Sequence, residues 1–437
     1  MASIPEEIWL LIFKFVQDGV SKASTGGEFG YDLARTASVR PLTETCRTFH
    51  RICQPLLFET LVIKHYSERS QNVVDVLRSK PRLRGMVSKV RIRWTRTGDR
   101  TLELWDRLEK ALMELYCIQD LWIQAANISR ALQDHFQRCP RLERLVLINV
   151  SMIHGTEPTT ISFHSLKYLR YEPHRNIQTT KFFPILNLPR LETLCIDSVF
   201  LLEPADLYNH QIFHFNPAVL KELFIEAFLW TESMEVGLVE LLKRASRIRL
   251  LSFDGLGEFR PGFNLPDDLI PELEGFRGRA DNVLTFCKGR PVQNLFTWFA
   301  MGAILEMTDD VPNLIQPGSV PLEHLYIDRI LWEDDSLGYI ARHCPQLVSL
   351  KIRAKRIDGT LSTRYHMPKL RKATFLFSEG SWFPDSRKGN LKAESEVKVA
   401  EECREFWTQL EYLRLDPYYF WRYRGLEVEQ VQGEEVE

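Results

Sequence analysis

The chain has no Cys-x-x-Cys pair, no excess of one charge and no long apolar run, and each absence removes a class of function. Its cysteines stand singly at 46, 53, 117, 139, 195, 287, 344 and 403. That spacing suits neither a disulfide framework nor a four-ligand zinc site, and it implies reduced thiols in a cytosolic or nuclear protein. The formal charge is −2 over 437 residues, which gives no global attraction to nucleic acid or to an anionic membrane. The longest uncharged run, Pro291 to Leu305, carries Gln293, Asn294 and Thr297. It falls short of the roughly 20 apolar residues that a membrane span needs. No basic-then-apolar opening is present, so no signal peptide is expected. Walker, HExxH and GxSxG motifs are missing too. DGLGEFRPG begins like a nucleotide loop at Gly255 and Gly257 but puts Arg260 where the third glycine belongs. His210 and His214 stand four apart without a third ligand. The reading predicts no catalytic residue, metal or cofactor, and therefore a binding protein and not an enzyme.

What is present begins with SIPEEIWLLIFKFV. Ile4, Ile8, Leu11, Ile12 and Phe15 recur at helical spacing and form an apolar stripe. Ser3 with Glu6 fits a capping box, and Pro5 suits a first helical turn. A Gly-rich loop follows, around Ser24 to Gly30. Helical spacing resumes at Leu42, Cys46, Phe49 and Cys53, with Pro55 expected to stop the helix. Cys46, His50 and Cys53 then share one face, but no fourth ligand is near, and buried cysteine packs as a small hydrophobe. Two short amphipathic helices make too small a core to be stable unaided, and a partner can complete it.

IPEEIWLLIFKFV followed by LTETCRTFHRICQPLLFETLVI resembles an F-box, most closely those of fungi. Pro5, Glu6, Ile8, Ile12, Leu42, Cys46, Arg47, Phe49 and Pro55 to Phe58 carry the resemblance, which spans about residues 3 to 62. The Gly-rich insertion departs from the pattern and leaves the middle helix, around Leu33 to Arg40, less defined. The resemblance implies docking on the Skp-type adaptor of SCF ubiquitin ligases, and through it on cullin. It makes Pro5, Ile8, Leu11, Ile12, Leu42, Cys46 and Phe49 the adaptor face, with some of these packing only on one another. Helix-in-groove docking of this kind uses apolar anchors at i, i+3 and i+4.

From Leu83 onward one phrase recurs: IQDLWI, LERLVL, LETLCI, LKELFI, IRLLSF, LEHLYI, LVSLKI and LEYLRL, with LKYLRY and LEGFRG as weaker copies. Starts at Leu142, Leu166, Leu191, Leu220, Ile248 and Leu273 lie 24, 25, 29, 28 and 25 apart, which is close to the leucine-rich-repeat period. The second and third apolar residues of each phrase are two apart, so a short strand turns both to one face. Helical stretches such as ISRALQDHFQRC and DDSLGYIARHC lie between phrases, and Cys139 and Cys344, each before a proline, are expected as buried turn residues. The expected fold is α/β: an all-α F-box (1–62), then an irregular leucine-rich-repeat solenoid (63–425) with parallel strands and helices on the convex side. Insertions are expected near 260–320 and 378–408, and an acidic disordered tail at 426–437. Trp382 and Phe383, on a loop, are candidate anchors.

A solenoid presents one row of outward strand positions to a partner. Lys89, Arg91, Arg93, Arg144, Tyr168, Glu222, Asp254, Tyr326, Lys351 and Arg353 are the candidates for holding a target protein, against the plainer reading of a solvated charged face. The cluster from Lys80 to Arg100 suits an acidic or phosphorylated segment. The neutral total charge and missing motif weigh against nucleic acid. Together these features suggest the substrate-recognition subunit of an SCF-type ligase. The alternative is a scaffold that binds the adaptor without directing ubiquitylation.

Overall fold

The computed structural model describes residues 5–18, 37–64, 68–94, 99–152, 160–173, 185–197, 213–216, 218–226, 230–255, 259–260, 262–298, 315, 318–332, 336–357, 365–377, 400–415, 419–424 and 427–432. Ser3, the Gly-rich insertion, His210, Trp382 and Phe383 lie outside them. The fold is mixed α/β, dominated by parallel strands. It divides into one unit holding Met1–Asp197 and Pro204–Leu220 and another holding Lys221–Glu435.

The first unit opens with three helices: α1 (Glu6–Asp18), α2 (37–43) and α3 (Arg47–Phe58). Glu6 and Glu7 in the first turn of α1 complement the positive end of its dipole. The helices enclose a small core of Phe13, Val39, Ile52, Cys53 and Leu56, with Trp9, Leu42, Phe49 and Leu57 packed against it. Trp9 and Phe13 of α1 meet the Phe49 ring at centroid distances of 4.9 and 5.0 Å. An Arg51–Glu6 ion pair ties α3 to the start of α1.

Two expectations about these helices need correction. Leu42 and Cys53 do not lie on one continuous helix, and Cys46 is not on its face. The Thr43 and Thr45 hydroxyls donate back to the Arg40 and Leu42 carbonyls at 2.7 and 2.8 Å, a local alternative to helix propagation. Cys46 is extended (φ −159°, ψ 165°) and caps α3, its Sγ accepting from the Phe49 N–H at 3.4 Å. Nor does Pro55 stop α3. It lies inside the helix and costs only the acceptance of the Arg51 carbonyl, on an exposed residue where water can substitute.

The sheet of this unit runs β1 (Thr60–Lys64), β2 (Lys89–Arg93), β3 (Asp120–Gln124), β5 (Arg144–Met152), β7 (Tyr168–Pro173), β9 (Thr193–Asp197), each parallel to the next. The two-residue β4 (Asn127–Ile128) extends the pairing with β5, and β6 (Thr160–Ser162), β8 (Ile185–Leu188) and β10 (Phe213–Phe215) form a small parallel sheet of their own. Each strand built on a repeat phrase begins two residues after its first apolar position. The paired apolar residues, such as Leu121/Ile123 and Leu145/Leu147, are buried. Helices α4 (Glu68–Ser79), α5 (Pro81–Arg84), α6 (Asp99–Leu112) and α7 (Arg130–Gln137) connect the strands. Ser129 caps α7, accepting from the Leu132 N–H at 3.3 Å. Because β1 begins at Thr60 and pairs in register with β2, the sheet starts at Thr60 and not at 63.

The second unit continues the pattern: β11 (Glu222–Glu226), β12 (Leu250–Asp254), β13 (Gly275–Arg279), β14 (Asn294–Trp298), β15 (His324–Trp332), β16 (Ser349–Ile357), β17 (Lys372–Phe377) and β18 (Tyr412–Arg414), all parallel. Parallel pairing continues through residues 262–298, but strand starts at Leu250, Gly275, Asn294 and His324 are unevenly spaced, and residues 299–314 and 378–399 of the expected insertions lie outside the described residues. β14 fills the register between β13 and β15, preceded by a short helix, Val283–Cys287. The C-terminal segment is not wholly a disordered tail. β19 (Tyr419–Arg424) runs antiparallel to β18, and β20 (Glu427–Gln432) runs antiparallel to β19. The acidic composition was outweighed by backbone pairing, since the last parallel strand offers an edge of open donors and acceptors that a hairpin closes. Among the described residues no helix is long and apolar enough to cross a membrane.

Candidate functional site

Helix α1 is apolar on two sides. Trp9 and Phe13, four apart, face the three-helix core. Ile8, Leu11 and Ile12 point elsewhere and stay 45, 63 and 40 % exposed, with Val16 nearby on the same helix. At this exposure each side chain forgoes roughly half of the ~1.5–3 kcal/mol that full burial from water would give. Contiguous exposed apolar surface marks an interaction site more often than a solvated face does. Pro5 and Cys46 are also exposed. Leu42 and Phe49 are half-buried and packed on the internal core, so their apolar surface is already partly used.

The second surface is the sheet face opposite the buried leucines. In the first unit the register sets Lys89, Asp120, Arg144 and Tyr168 side by side across β2, β3, β5 and β7. Lys89 Nζ lies 3.0 Å from Glu59. Asp120 is shared by two guanidiniums, Arg91 and Arg144, the latter at 3.4 Å. Arg144 stacks over the Tyr168 ring at 4.8 Å, and the Cys195 thiol donates to the Tyr168 hydroxyl at 3.4 Å. Burial pushes the Tyr168 hydroxyl well above the usual phenol range. Arg93 is exposed. Arg91, expected on the solvent side, is only 4 % exposed: its neighbours in register are Val62 and Trp122, and its guanidinium is held on Asp120.

The same face of the second unit carries Arg277, Phe296, Tyr326 and Lys351 in register across β13 to β16. The Phe296 and Tyr326 centroids are 3.9 Å apart, with Arg277 4.8 Å from the first ring and Lys351 Nζ 4.9 Å from the second. Asp254 pairs with Arg277 at 3.1 Å and Asp328 with Arg353 at 3.5 Å. Tyr326 is a second correction: packed beneath these neighbours it is 9 % exposed, so it props the surface more than it presents itself. Glu222 is half-buried at the near end of the face. Arg277, Phe296 and Trp298 were missed by the sequence reading. The alternation in NLFTW, with Phe296 and Trp298 either side of the buried Thr297, was the signal that would have found them.

No three of the described His, Cys, Asp and Glu residues are placed to hold a metal ion. Cys139 Sγ and His135 Nε2 are 3.6 Å apart, but burial pushes the thiol up to about 11 and the imidazole below its ordinary value, so both are neutral. Cys344, buried at the equivalent turn, is pushed up to about 12. Alkylation of the native protein with iodoacetamide at pH 8 should therefore label exposed Cys46 while sparing Cys139, Cys287 and Cys344 until denaturant is added. Peptide mass spectrometry checks this, and early labelling of Cys139 would show that its turn opens. A cleft of about 730 Å³ lies between the end of α3, β1 and α4, lined mainly by Leu57, Phe58, Leu61, Val73, Val76 and Leu77. A scan of protein-family models finds no match to this chain, and a search of curated proteins finds none either.

Proposed function

We propose that this chain is the substrate-recognition subunit of an SCF-type cullin-RING ubiquitin ligase. On this reading residues up to Phe58 are an F-box that docks a Skp-type adaptor, and the parallel-strand array, a leucine-rich-repeat solenoid, holds a target protein. The observation that carries the reading is the second apolar face of α1. Ile8, Leu11 and Ile12 remain exposed after Trp9 and Phe13 have completed the internal core. Their i, i+3, i+4 spacing is that of a helix entering a partner's groove. The subunit would perform no bond chemistry. Its contribution is to tether a target near a ubiquitin-charged carrier and so raise the effective concentration of the reacting groups.

The test is reconstitution. The full chain, co-expressed with adaptor, cullin and RING subunits, should elute as one complex and direct ubiquitin onto a protein captured with it. Stable assembly with adaptor and cullin but no modified client would leave only the scaffold role. Failure to bind the adaptor would remove both.

A further inference from the structure

We infer that the outer edge of β1 is a docking site for an extended segment of a partner protein, which adds to the sheet as one further strand. This goes beyond the adaptor reading and uses none of Ile8, Leu11 or Ile12. The pairing of β1 with β2 fixes where its main-chain groups point. The Glu59 carbonyl accepts from the Ser88 and Lys89 N–H groups at 2.9 Å each. Main-chain groups alternate sides along a strand, so Glu59, Leu61 and Ile63 direct theirs to β2. Thr60 and Val62, which lie between them, direct two N–H and two C=O groups the other way. Among the described residues β2 is the one strand paired with β1. An edge of this kind is a row of donors and acceptors that another extended backbone matches at every position.

That edge opens into the cleft of about 730 Å³. Thr60, Leu61 and Val62 all line the cleft, although successive side chains of a strand point to opposite faces. The edge of β1, and not one face of it, therefore forms the floor. Leu57 and Phe58 at the end of α3, and Val73, Val76 and Leu77 of α4, supply apolar walls. Val76 is left 36 % exposed there. The α4 wall stands on the helix-covered side of the sheet, where Leu61 and Ile63 are buried. A guest strand in register turns alternate side chains to that wall and the rest to the open face. The occupant's chemistry follows. It is an extended segment of about five residues, roughly 16 Å long to match Thr60–Lys64, with apolar side chains at alternate positions.

A second copy of this chain fits the edge less well. Its own β1 lies in the same cleft between its own α3 and α4, so helix would meet helix before two such edges reached the ~4.8 Å of strand pairing. A single strand, with no helices beside it, can enter. In the second unit the chain closes the edge of β18 itself with the β19–β20 hairpin, whereas the described residues offer β1 no such cover.

The experiment titrates the full chain into fluorescein-labelled seven-residue peptides and reads anisotropy. The peptides carry Val, Ile, Leu or Phe at alternate positions with Ser and Glu between, and controls of the same composition have the apolar residues grouped together. At least one alternating peptide should bind saturably, about tenfold or more tighter than its grouped counterpart. N-methylation of one alternate set of its amides should weaken binding at least about tenfold, and methylation of the other set less than about twofold, because only one set faces β1. Val62→Pro removes an N–H that points into the cleft and not to β2, so it should spare the fold and weaken peptide binding about tenfold. Val76→Asp, in the wall, should weaken it by a similar factor and keeps the test decisive if proline disturbs the strand. Val236→Asp, at another exposed valine in the second unit, should leave it unchanged. No saturable binding, equal losses from both methylation sets, or indifference to Val76→Asp would overturn the inference. Dimerisation in sedimentation that Val62→Pro abolishes would overturn it in favour of a second copy at the edge. Adaptor capture is scored on the same samples. A chain that captures adaptor and ignores the peptides refutes the edge site alone, and peptide binding by a chain that never captures adaptor refutes the ligase reading alone.

Discussion

Replacing Arg290 with alanine is expected to cost the second unit about 3–5 kcal/mol, because a buried cation is serving as a hydrogen-bond hub for backbone carbonyls. Arg290 is 1 % exposed. Its Nη2 donates to the Pro266 carbonyl at 2.7 Å, its Nε to Leu269 at 3.0 Å and its Nη1 to Phe286 at 3.0 Å. Those carbonyls belong to the 266–269 turn and to the helix Val283–Cys287, so one guanidinium closes the approach to β13 and the exit toward β14. Burial pushes its pKa down, partly opposed by the neighbouring Cys287, Asp267 and Asp268. The stabilisation comes from charge-assisted donation to neutral carbonyls and not from a salt bridge. Alanine would remove the donors and leave the acceptors dry. Lysine cannot reproduce the fork and should recover less than half of the loss. Hydrogen exchange should quicken about 100-fold or more across β13 and β14, at 1.4 kcal/mol per decade. The transition of this unit should drop by about 10 °C at roughly 2–4 °C per kcal/mol. Unchanged exchange there would mean that water replaces the guanidinium without cost.

The strands were legible in the sequence because their period of two is local. Leu142, Leu145 and Leu147 announce β5 without reference to anything else in the chain. Where the phrase used a residue outside the leucine-like set, the reading failed. β14 has Thr297 in the third core slot, and β17 has Ala373 in the second. Both are fully buried all the same, Thr297 in register with Ile327 and Ala373 with Leu350. Burial on the open face was illegible for a different reason. Arg91 and Tyr326 alternate as solvent-facing residues should, and only the cross-strand neighbours that enclose them, Val62 and Trp122 in one case and Phe296 in the other, decide otherwise. Register between strands distant in sequence is tertiary information. The break between α2 and α3 was a competition between apolar spacing, which favours a continuous helix, and two threonine hydroxyls that satisfy the last carbonyls of α2.

The N-terminal site was half legible, and the missing half defines the second experiment. Composition alone shows α1 to be apolar. It cannot say whether Ile8/Leu11/Ile12 or Trp9/Phe13 turns inward, since either set recurs at helical spacing. The structure turns the aromatic pair in, which makes the two sets separable by mutation. On the proposed F-box reading, Ile8→Asp with Leu11→Asp should lower adaptor affinity at least about 1,000-fold. Two carboxylates brought into an apolar groove without partners would each cost several kcal/mol, or lose their charge at comparable expense. The same pair should change stability by no more than about 0.5–1 kcal/mol, because both sites are largely solvated and an aspartate at position 8 sits near the favourable N-terminal end of the dipole. Phe13→Ala inverts the pattern. At 3 % exposure it should cost about 3–5 kcal/mol and abolish docking only by unfolding the helices. Thermal melts beside adaptor pull-downs distinguish the cases. An aspartate pair that melts early would show these side chains to be core, and one that melts normally yet still captures adaptor would show that the groove lies elsewhere. Loss of capture with an intact melt is the outcome that the proposed docking face requires.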